Sequence, residues 1–294
     1  MIKSKTFVFL ILGFLILLNA FAWLSVYDLN NPQALEVIFF DIGQGDAIFI
    51  ETPQGRQILI DGGQDTGILE KLGDEMPFWD RTIDLVILTH PEHDHYGGLI
   101  EVLKNYKVEN ILWTGVLRNT SEYKEWQKTI KEEEEQGAQI RIARAGQLIH
   151  LGNQSNRYME VLYPFEDLEG QEIKNTNNTS IIIRLVFKNN SFLFTGDAYQ
   201  SVEKKLLENE IDVDSDVLKV GHHGSKTSSS EEFIKQVSPD IAVISAGKDN
   251  PYHHPHQETL KTLEKYGIKI LRTDLNNDIK LTTNGEKINA VSDF

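Results

Sequence analysis

The chain has 294 residues, with 44 acidic against 29 basic side chains and no cysteine. That length supports one large α/β domain or two small ones with an ample core, and the lack of cysteine excludes a disulfide scaffold and every thiolate metal site. A formal charge of −15 excludes a broad basic surface for nucleic acid, because that mode depends on Lys and Arg neutralising phosphates.

In chain order, the first feature is apolar. Lys3 and Lys5 precede a run from Phe7 to Leu18 interrupted only by Gly13, and Ala20-Phe21-Ala22 then offers the small residues that a signal peptidase reads. Residues 7–26 carry only Asn19 and Ser25 as strongly polar groups, which is long enough to span a bilayer. Residues 1–26 therefore read as a signal peptide or a retained membrane anchor, with a buried core helix as the third reading. Residues 27–34 read as a tether and 35–294 as one domain. Positive charge ahead of the apolar run implies an extracytoplasmic domain, membrane-anchored or secreted.

From Leu35 the chain alternates strand-like and helix-like segments. Short Val/Ile/Leu/Phe-rich runs bounded by Gly, Asn or Asp predict strands at 35–41, 47–51, 57–61, 85–89, 111–113, 139–143 and 159–163. Further strands are expected at 180–187, 191–195, 217–220, 241–245, 268–271 and 279–282. Helices are expected at 95–105, 121–135, 199–208, 229–236 and 257–266, the second capped by Ser121 and stopped at Gly137. The four acids Glu132–135 read as a solvated helix face. Hairpins first and β/α alternation later predict sheets packed internally with helices outside.

The sharpest signal is Thr89-His90-Pro91-Glu92-His93-Asp94-His95, which follows an apolar strand and precedes Gly97-Gly98. Alternate residues of an extended segment project to one side, so His90, Glu92 and Asp94 can converge, with His95 added where the chain turns. Imidazoles and carboxylates suit borderline and hard divalent ions, and paired metals need such a shared set. His222-His223 follows another buried strand, and Asp197 follows a third.

This pattern resembles the metallo-β-lactamase fold superfamily, whose signature is His-x-His-x-Asp-His at a strand end. Glu92 stands where the family has its second His, and with the Gly-Gly pair it looks like the ComEC-like branch of competence proteins. Phe40-Asp41-Ile42-Gly43-Gln44-Gly45-Asp46-Ala47 and Asp61-Gly62-Gly63 are similar to that branch's opening motifs. Asn177-Asn178-Thr179-Ser180, Thr195-Gly196-Asp197-Ala198, Gly221-His222-His223-Gly224-Ser225 and the stretch from Ser245 to Pro255 follow in the branch's order. The resemblance covers about residues 35–285 and implies a four-layer αββα sandwich, standing alone behind one leader.

It also implies roles. His90, Glu92, Asp94, His95, Asp197 and one of His222 and His223 would hold one or two divalent ions, zinc or manganese, with Asp197 bridging. Asp94 would also orient the attacking water, and His254 or His223 would protonate the leaving group. Asn178, Ser225, Asn250, Tyr252 and His254 are candidates for substrate oxygens. The small-residue loop from Gly224 leads into a helix whose N-terminus suits an anion. Asp41, Asp46 and Asp61 lie beside glycines at strand ends, and Asp41 and Asp61 are taken as second-layer partners. Lys219, Lys226 and Lys248 are the cations available for local grip. The expected function is metal-dependent hydrolysis of a phosphoester, nuclease-like, with DNA among the candidate substrates. The alternatives are a lactam or other ester/amide hydrolase, and a non-catalytic surface binding module.

Overall fold

The computed structural model describes residues 4–29, 34–152 and 154–291. Helix α1 (Ser4–Leu29) comes first. The first half of the domain contains β1 (Leu35–Phe39), β2 (Ile48–Glu51), β3 (Gln57–Ile60), α2 (Gly67–Glu75), β4 (Thr82–Ile83) and β5 (Leu85–Ile87). It continues with α3 (His93–Asn105), β6 (Lys107–Val108), β7 (Asn110–Trp113), α4 (Ser121–Glu135) and β8 (Gln139–Ile142). The second half contains β9 (Leu148–His150), β10 (Arg157–Tyr163), β11 (Ile182–Phe187), β12 (Asn190–Phe194), α5 (Gln200–Glu208) and β13 (Val217–Lys219). Then come α6 (Glu231–Val237), β14 (Ile241–Ile244), α7 (Gln257–Lys265), β15 (Lys269–Arg272), α8 (Thr273–Asn276), β16 (Ile279–Thr283) and β17 (Ile288–Val291).

Two mixed sheets result, ordered β17-β16-β1-β2-β3-β5-β7-β8 and β15-β14-β13-β12-β11-β10-β9. The strand period of two assigns the layers. Val37, Phe39, Ile48 and Ile60 of the first sheet meet Leu185, Phe192, Phe194 and Val217 of the second in a core between the sheets. The alternate residues Ile38, Phe49, Leu59 and Val86 face outward onto α2, α3 and α4, through Leu72, Leu99, Val102 and Trp126. On the other side Leu193, Leu218 and Ala242 pack against Val202, Leu206, Phe233 and Leu263 of α5, α6 and α7. Central strands are therefore buried on both faces, which explains their near-continuous apolar composition. The architecture is the expected four-layer αββα sandwich.

Differences from expectation are local. Helix α1 continues through residue 29, so the expected tether 27–34 begins as helix, and residues 30–33 lie outside the described residues. Within α1 the window Phe7–Leu24 has mean hydropathy 2.6 and none of it is buried, which removes the core-helix reading. Thr120, not Ser121, caps α4, its side chain accepting from Tyr123 N. Glu133 departs from the solvated face: it is buried, and burial pushes its carboxyl up. Helix α2 is an addition to the expected elements; it is short and contains two glycines, which weaken its helical pattern.

Gly98 shows how tightly the first layer closes on the site. A Cβ there would stand 2.0 Å from Gly62 O and 2.6 Å from Asp65 O, and Gly98 N donates to Gly63 O at 2.9 Å. Helix α3 thus rests directly on the backbone after β3. A mid-helix Gly→Ala change ordinarily gains about 1 kcal/mol, whereas overpacking costs about 1–3 kcal/mol. Because the clash is with backbone, the second effect should win: Gly98→Ala is expected to lower the thermal midpoint. An unchanged or raised midpoint would contradict the close approach.

Candidate metal centre

The chemistry-bearing residues sit where strands of both sheets end on the same side. Asp61 follows β3, Thr89 and His90 follow β5, Asp197 follows β12, and His222 and His223 follow β13. Strands β3, β5 and β7 run parallel in one sheet and β12, β13 and β14 in the other. Their carboxyl ends leave a cleft, the usual position for a site on such sheets.

Three imidazoles are oriented from behind. Asp61 accepts from Thr89 N at 2.8 Å, from Thr89 Oγ1 at 2.6 Å and from His95 Nδ1 at 2.7 Å. With the Thr89 hydroxyl hydrogen committed to Asp61, His90 Nδ1 must donate to Thr89 Oγ1, 3.0 Å away. His223 Nδ1 donates to Ser245 O at 3.0 Å. Each Nδ1 therefore carries a hydrogen and each Nε2 is the atom left facing the cleft, the arrangement typical of metal-binding histidines.

The Nε2 atoms meet carboxylates. His95 Nε2 lies 3.6 Å from Asp197 Oδ1, and His90, His222 and His223 Nε2 lie 4.0, 3.7 and 3.4 Å from Asp197 Oδ2. His223 Nε2 is also 3.4 Å from Asp94 Oδ2. Ligand atoms of His90, His95 and Asp197, of Asp94, His95 and His223, and of Asp46, Asp197 and His223 each fall within 4.8 Å of one another. Among the described residues, His90 Nε2, His95 Nε2, His223 Nε2, Asp197 Oδ1 and Asp46 Oδ1 are buried without a hydrogen-bond partner. Buried polar atoms are seldom left unpaired, and imidazole and carboxylate donors aimed at a common point fit a divalent cation.

Charge is finely divided here. Burial and the neighbouring His95 push His90 down to about 3, so it is a neutral, ready donor. Burial also opposes charge on His95 and His223, but the Asp197 carboxylate, joined by Asp61 and Asp46 respectively, raises both well above the usual imidazole value. Burial would raise Asp94 and Asp197, yet the His223 and His95 charges and hydrogen bonds hold both carboxyls well below their usual range. These protons are the ones a cation would displace. Burial with His223 and His222 nearby holds His254 down at about 4, so at neutral pH it faces the cleft uncharged.

Several expected site residues are engaged elsewhere. The Glu92 carboxylate pairs with Arg118 and accepts from the Thr176 hydroxyl, which turns it away from the cluster. Asn178 Oδ1 accepts from Ser201 Oγ at 3.2 Å, and it is Asn177 Nδ2 that approaches His222 Nε2 at 3.4 Å. Asn250 is a latch rather than a substrate group: its side chain donates to Gly247 O and His254 O and accepts from His254 N. Ser225 is buried and bonded to Thr227 Oγ1, which lies 3.0 Å from His222 Nδ1. Asp41 Oδ1 accepts from Gly43 N within its own turn. Tyr252 is exposed, its ring stacked 5.8 Å from His254. His222 lies at the rim, stacked on Tyr199 at 5.2 Å.

Asp46 is the residue that sequence reasoning left out of the site. Its signal was the Gly45-Asp46 step before a buried strand: a Cβ on Gly45 would stand 2.2 Å from Asp94 O, so only glycine admits this approach. Asp46 Oδ2 pairs with Lys219 Nζ at 2.8 Å and Oδ1 lies 3.4 Å from His223 Nδ1. Burial opposes its charge, but the Lys219 ammonium and His223 hold it down at about 2. Lys219 itself is buried and donates to Val220 O, so it cannot grip a substrate.

An αββα sandwich with histidines and carboxylates at the strand ends defines a metallo-hydrolase fold. Residues 40–248 match the family described as the metallo-beta-lactamase superfamily, and the chain belongs to that superfamily. It is similar to "ComE operon protein 3" of Bacillus subtilis, 35% identical over 274 residues that cover 87% of this chain and 34% of that protein. "Competence protein ComA" of Neisseria gonorrhoeae is 33% identical over 84% of this chain and 32% of its own length. "Recombination protein 2" of Haemophilus influenzae is 29% identical over 96% and 33%. The chain thus spans about a third of the length of these relatives. Among solved structures, Igni18, a metallo hydrolase from Ignicoccus hospitalis, matches with TM-score 0.52 at 15% identity, covering 83% of this chain and 98% of its own.

The Asp46–Lys219 pair yields a prediction. Removing one partner of a buried pair typically costs about 3–5 kcal/mol, and the nearby His223 should keep Lys219→Met at the lower end. Chemical denaturation of the metal-free protein measures it, and Asp46→Leu/Lys219→Met should recover much of the loss. A neutral Lys219→Met would show that the pair does not hold the cluster.

Proposed function

We propose that the protein is a metal-dependent phosphodiesterase acting on nucleic acid, in an extracytoplasmic domain held to the membrane by α1. The observation that carries the catalytic reading is the set of inward-facing, unpartnered His Nε2 and carboxylate atoms around Asp197. Two relatives named for competence and recombination favour nucleic acid as the substrate. The membrane reading is supported by the exposed apolar window Phe7–Leu24 and the lysines before it.

His90, His95 and Asp197 would hold one divalent ion, and Asp94 and His223 supply donors for a second position; His95, with Nδ1 committed to Asp61, has only Nε2 to offer and would serve one ion. When bound, such ions supply Lewis-acid stabilisation of a phosphoryl oxygen and acidify water. Asp61 and the Ser245 carbonyl keep the ligand imidazoles in the donor tautomer. Asp94, partly exposed where the other carboxylates of the cluster are buried, is the carboxylate able both to hold a cation and to orient water. His254 is uncharged at rest, so it offers a hydrogen bond to a substrate oxygen rather than a stored proton.

The test is an assay with single-stranded DNA, duplex DNA and a small chromogenic phosphodiester, with zinc or manganese added. Asp94→Ala should lose more than the roughly 10–100-fold that disturbing a ligand's supporting partner costs, with circular dichroism unchanged. Full activity in the metal-replete variant would sink the assignment. Turnover of a lactam without any phosphodiester would replace the substrate class.

A second prediction follows from charge. The net −15 surface repels a polyanion at long range, and of the three lysines singled out from the sequence Lys219 is buried while Lys226 and Lys248 are exposed. DNA binding by the metal-free protein should be weak and should fall only gently with salt, because the slope follows the number of phosphates neutralised. A steep salt dependence in a filter-binding titration would reveal a basic patch and contradict this reading.

A further inference from the structure

The segment between α2 and β4 carries two adjacent aromatic side chains with no covering. Phe78 is 81% exposed and Trp79 66% exposed, and their rings meet edge to face at 4.8 Å. Single open apolar side chains are common, but two adjacent rings in contact form a contiguous patch, which points to a surface they enter. Their position in the sandwich indicates which surface.

Trp79 precedes Asp80, whose Oδ2 accepts from Gln57 Nε2 at 3.1 Å. Gln57 opens β3 and pairs with Glu51, and Glu51 pairs with Glu36 at the start of β1. Two strand spacings, about 10 Å, therefore separate the first residues of β1 from the strand end to which the aromatic loop is tied. The metal cluster lies at the other ends of these strands. Asp61, which holds His95, follows β3, about 13 Å from Gln57 at the usual rise per residue.

The start of β1 is also where the chain arrives from α1. The apolar window ends at Leu24, the helix at Leu29 and β1 begins at Leu35. Five helical residues and the six positions from there to Leu35 can reach no further than about 30 Å, whatever their conformation. The domain end bearing Phe78 and Trp79 is thus the end leashed to the apolar helix.

We propose that Phe78 and Trp79 insert into the lipid headgroup region as a second, side-chain anchor, seating the domain with its metal cleft facing away from the bilayer. The proposal rests on the reading of α1 as a membrane anchor. Trp and Phe suit that depth, apolar in body and, for Trp, able to keep an indole N–H hydrated. Charge does not supply the attraction. Asp80 is tied to Gln57, Arg81 donates to Tyr106 Oη and lies over its ring, and the domain as a whole is acidic. The contact should therefore form on a neutral phosphatidylcholine surface.

The absence of cysteine makes single-site labelling unambiguous. Full-length Phe78→Cys and Lys248→Cys proteins, each carrying a nitroxide, are reconstituted with phosphatidylcholine vesicles, floated, and read by power-saturation electron paramagnetic resonance. The label at 78 should be several-fold less accessible to a water-soluble nickel chelate than the label at 248, and should regain access in a Trp79→Ser background. Protein that floats with both labels equally accessible overturns the side-chain anchor while leaving α1 as the anchor. Protein that does not float overturns the α1 reading and the proposal with it. Protection at 78 that survives Trp79→Ser would mean that the label alone enters the lipid, and overturns the proposal as well.

Discussion

Everything at the cleft depends on holding buried carboxylates and imidazoles together with their inner lone pairs unpaired. Asp46, Asp94 and Asp197 converge on His223, whose raised proton affinity, with that of His95, offsets the repulsion that like charges in a poorly solvated space would otherwise exert. The chain holds four of these groups by a second partner behind: Asp61 for His95, Thr89 for His90, Ser245 O for His223 and Lys219 for Asp46. Backbone strain is part of the same device. Asp61, His222 and His223 sit at φ of 58°, 49° and 55°, a left-handed conformation that costs of order 1–3 kcal/mol and persists only where the surroundings fix it. A cation in the cleft would satisfy the inner lone pairs and screen the repulsion at once.

How much of this is legible in the sequence follows from the range of each interaction. The layers are legible because strands buried on both faces must be apolar throughout, and the strand-to-turn step at Thr89-His90 marks where the chemistry begins. His90, Asp94 and His95 could be picked from spacing alone because one turn presents them. Glu92 shares that spacing but not the outcome: Arg118 and Thr176, distant in sequence, draw it aside. The Asp46–Lys219 contact is hidden for the complementary reason. Gly45-Asp46 marks a strand end and Lys219 closes an apolar strand, but only the pairing of the two sheets' ends brings them together. Asn250 illustrates a third limit, since an Asn in a polar loop looks the same whether it meets substrate or its own backbone.

The position of the cluster across two sheets has a consequence for how the site is stabilised. Asp46, Asp61, His90 and His95 come from the first sheet's side, whereas Asp197, Lys219 and His223 come from the second. No single loop sets the distances among them; the separation of the sheets does. That separation is fixed by the inter-sheet core, where Phe39 and Phe194 meet with ring centroids 6.2 Å apart, two residues before Asp41 and three before Asp197 respectively. A methylene lost there would cost stability in the ordinary way and would also let the two halves of the donor set shift. Since a misplacement of about 1 Å can cost a hundredfold in rate, apolar residues that touch neither metal nor substrate are as much a part of this site as its ligands.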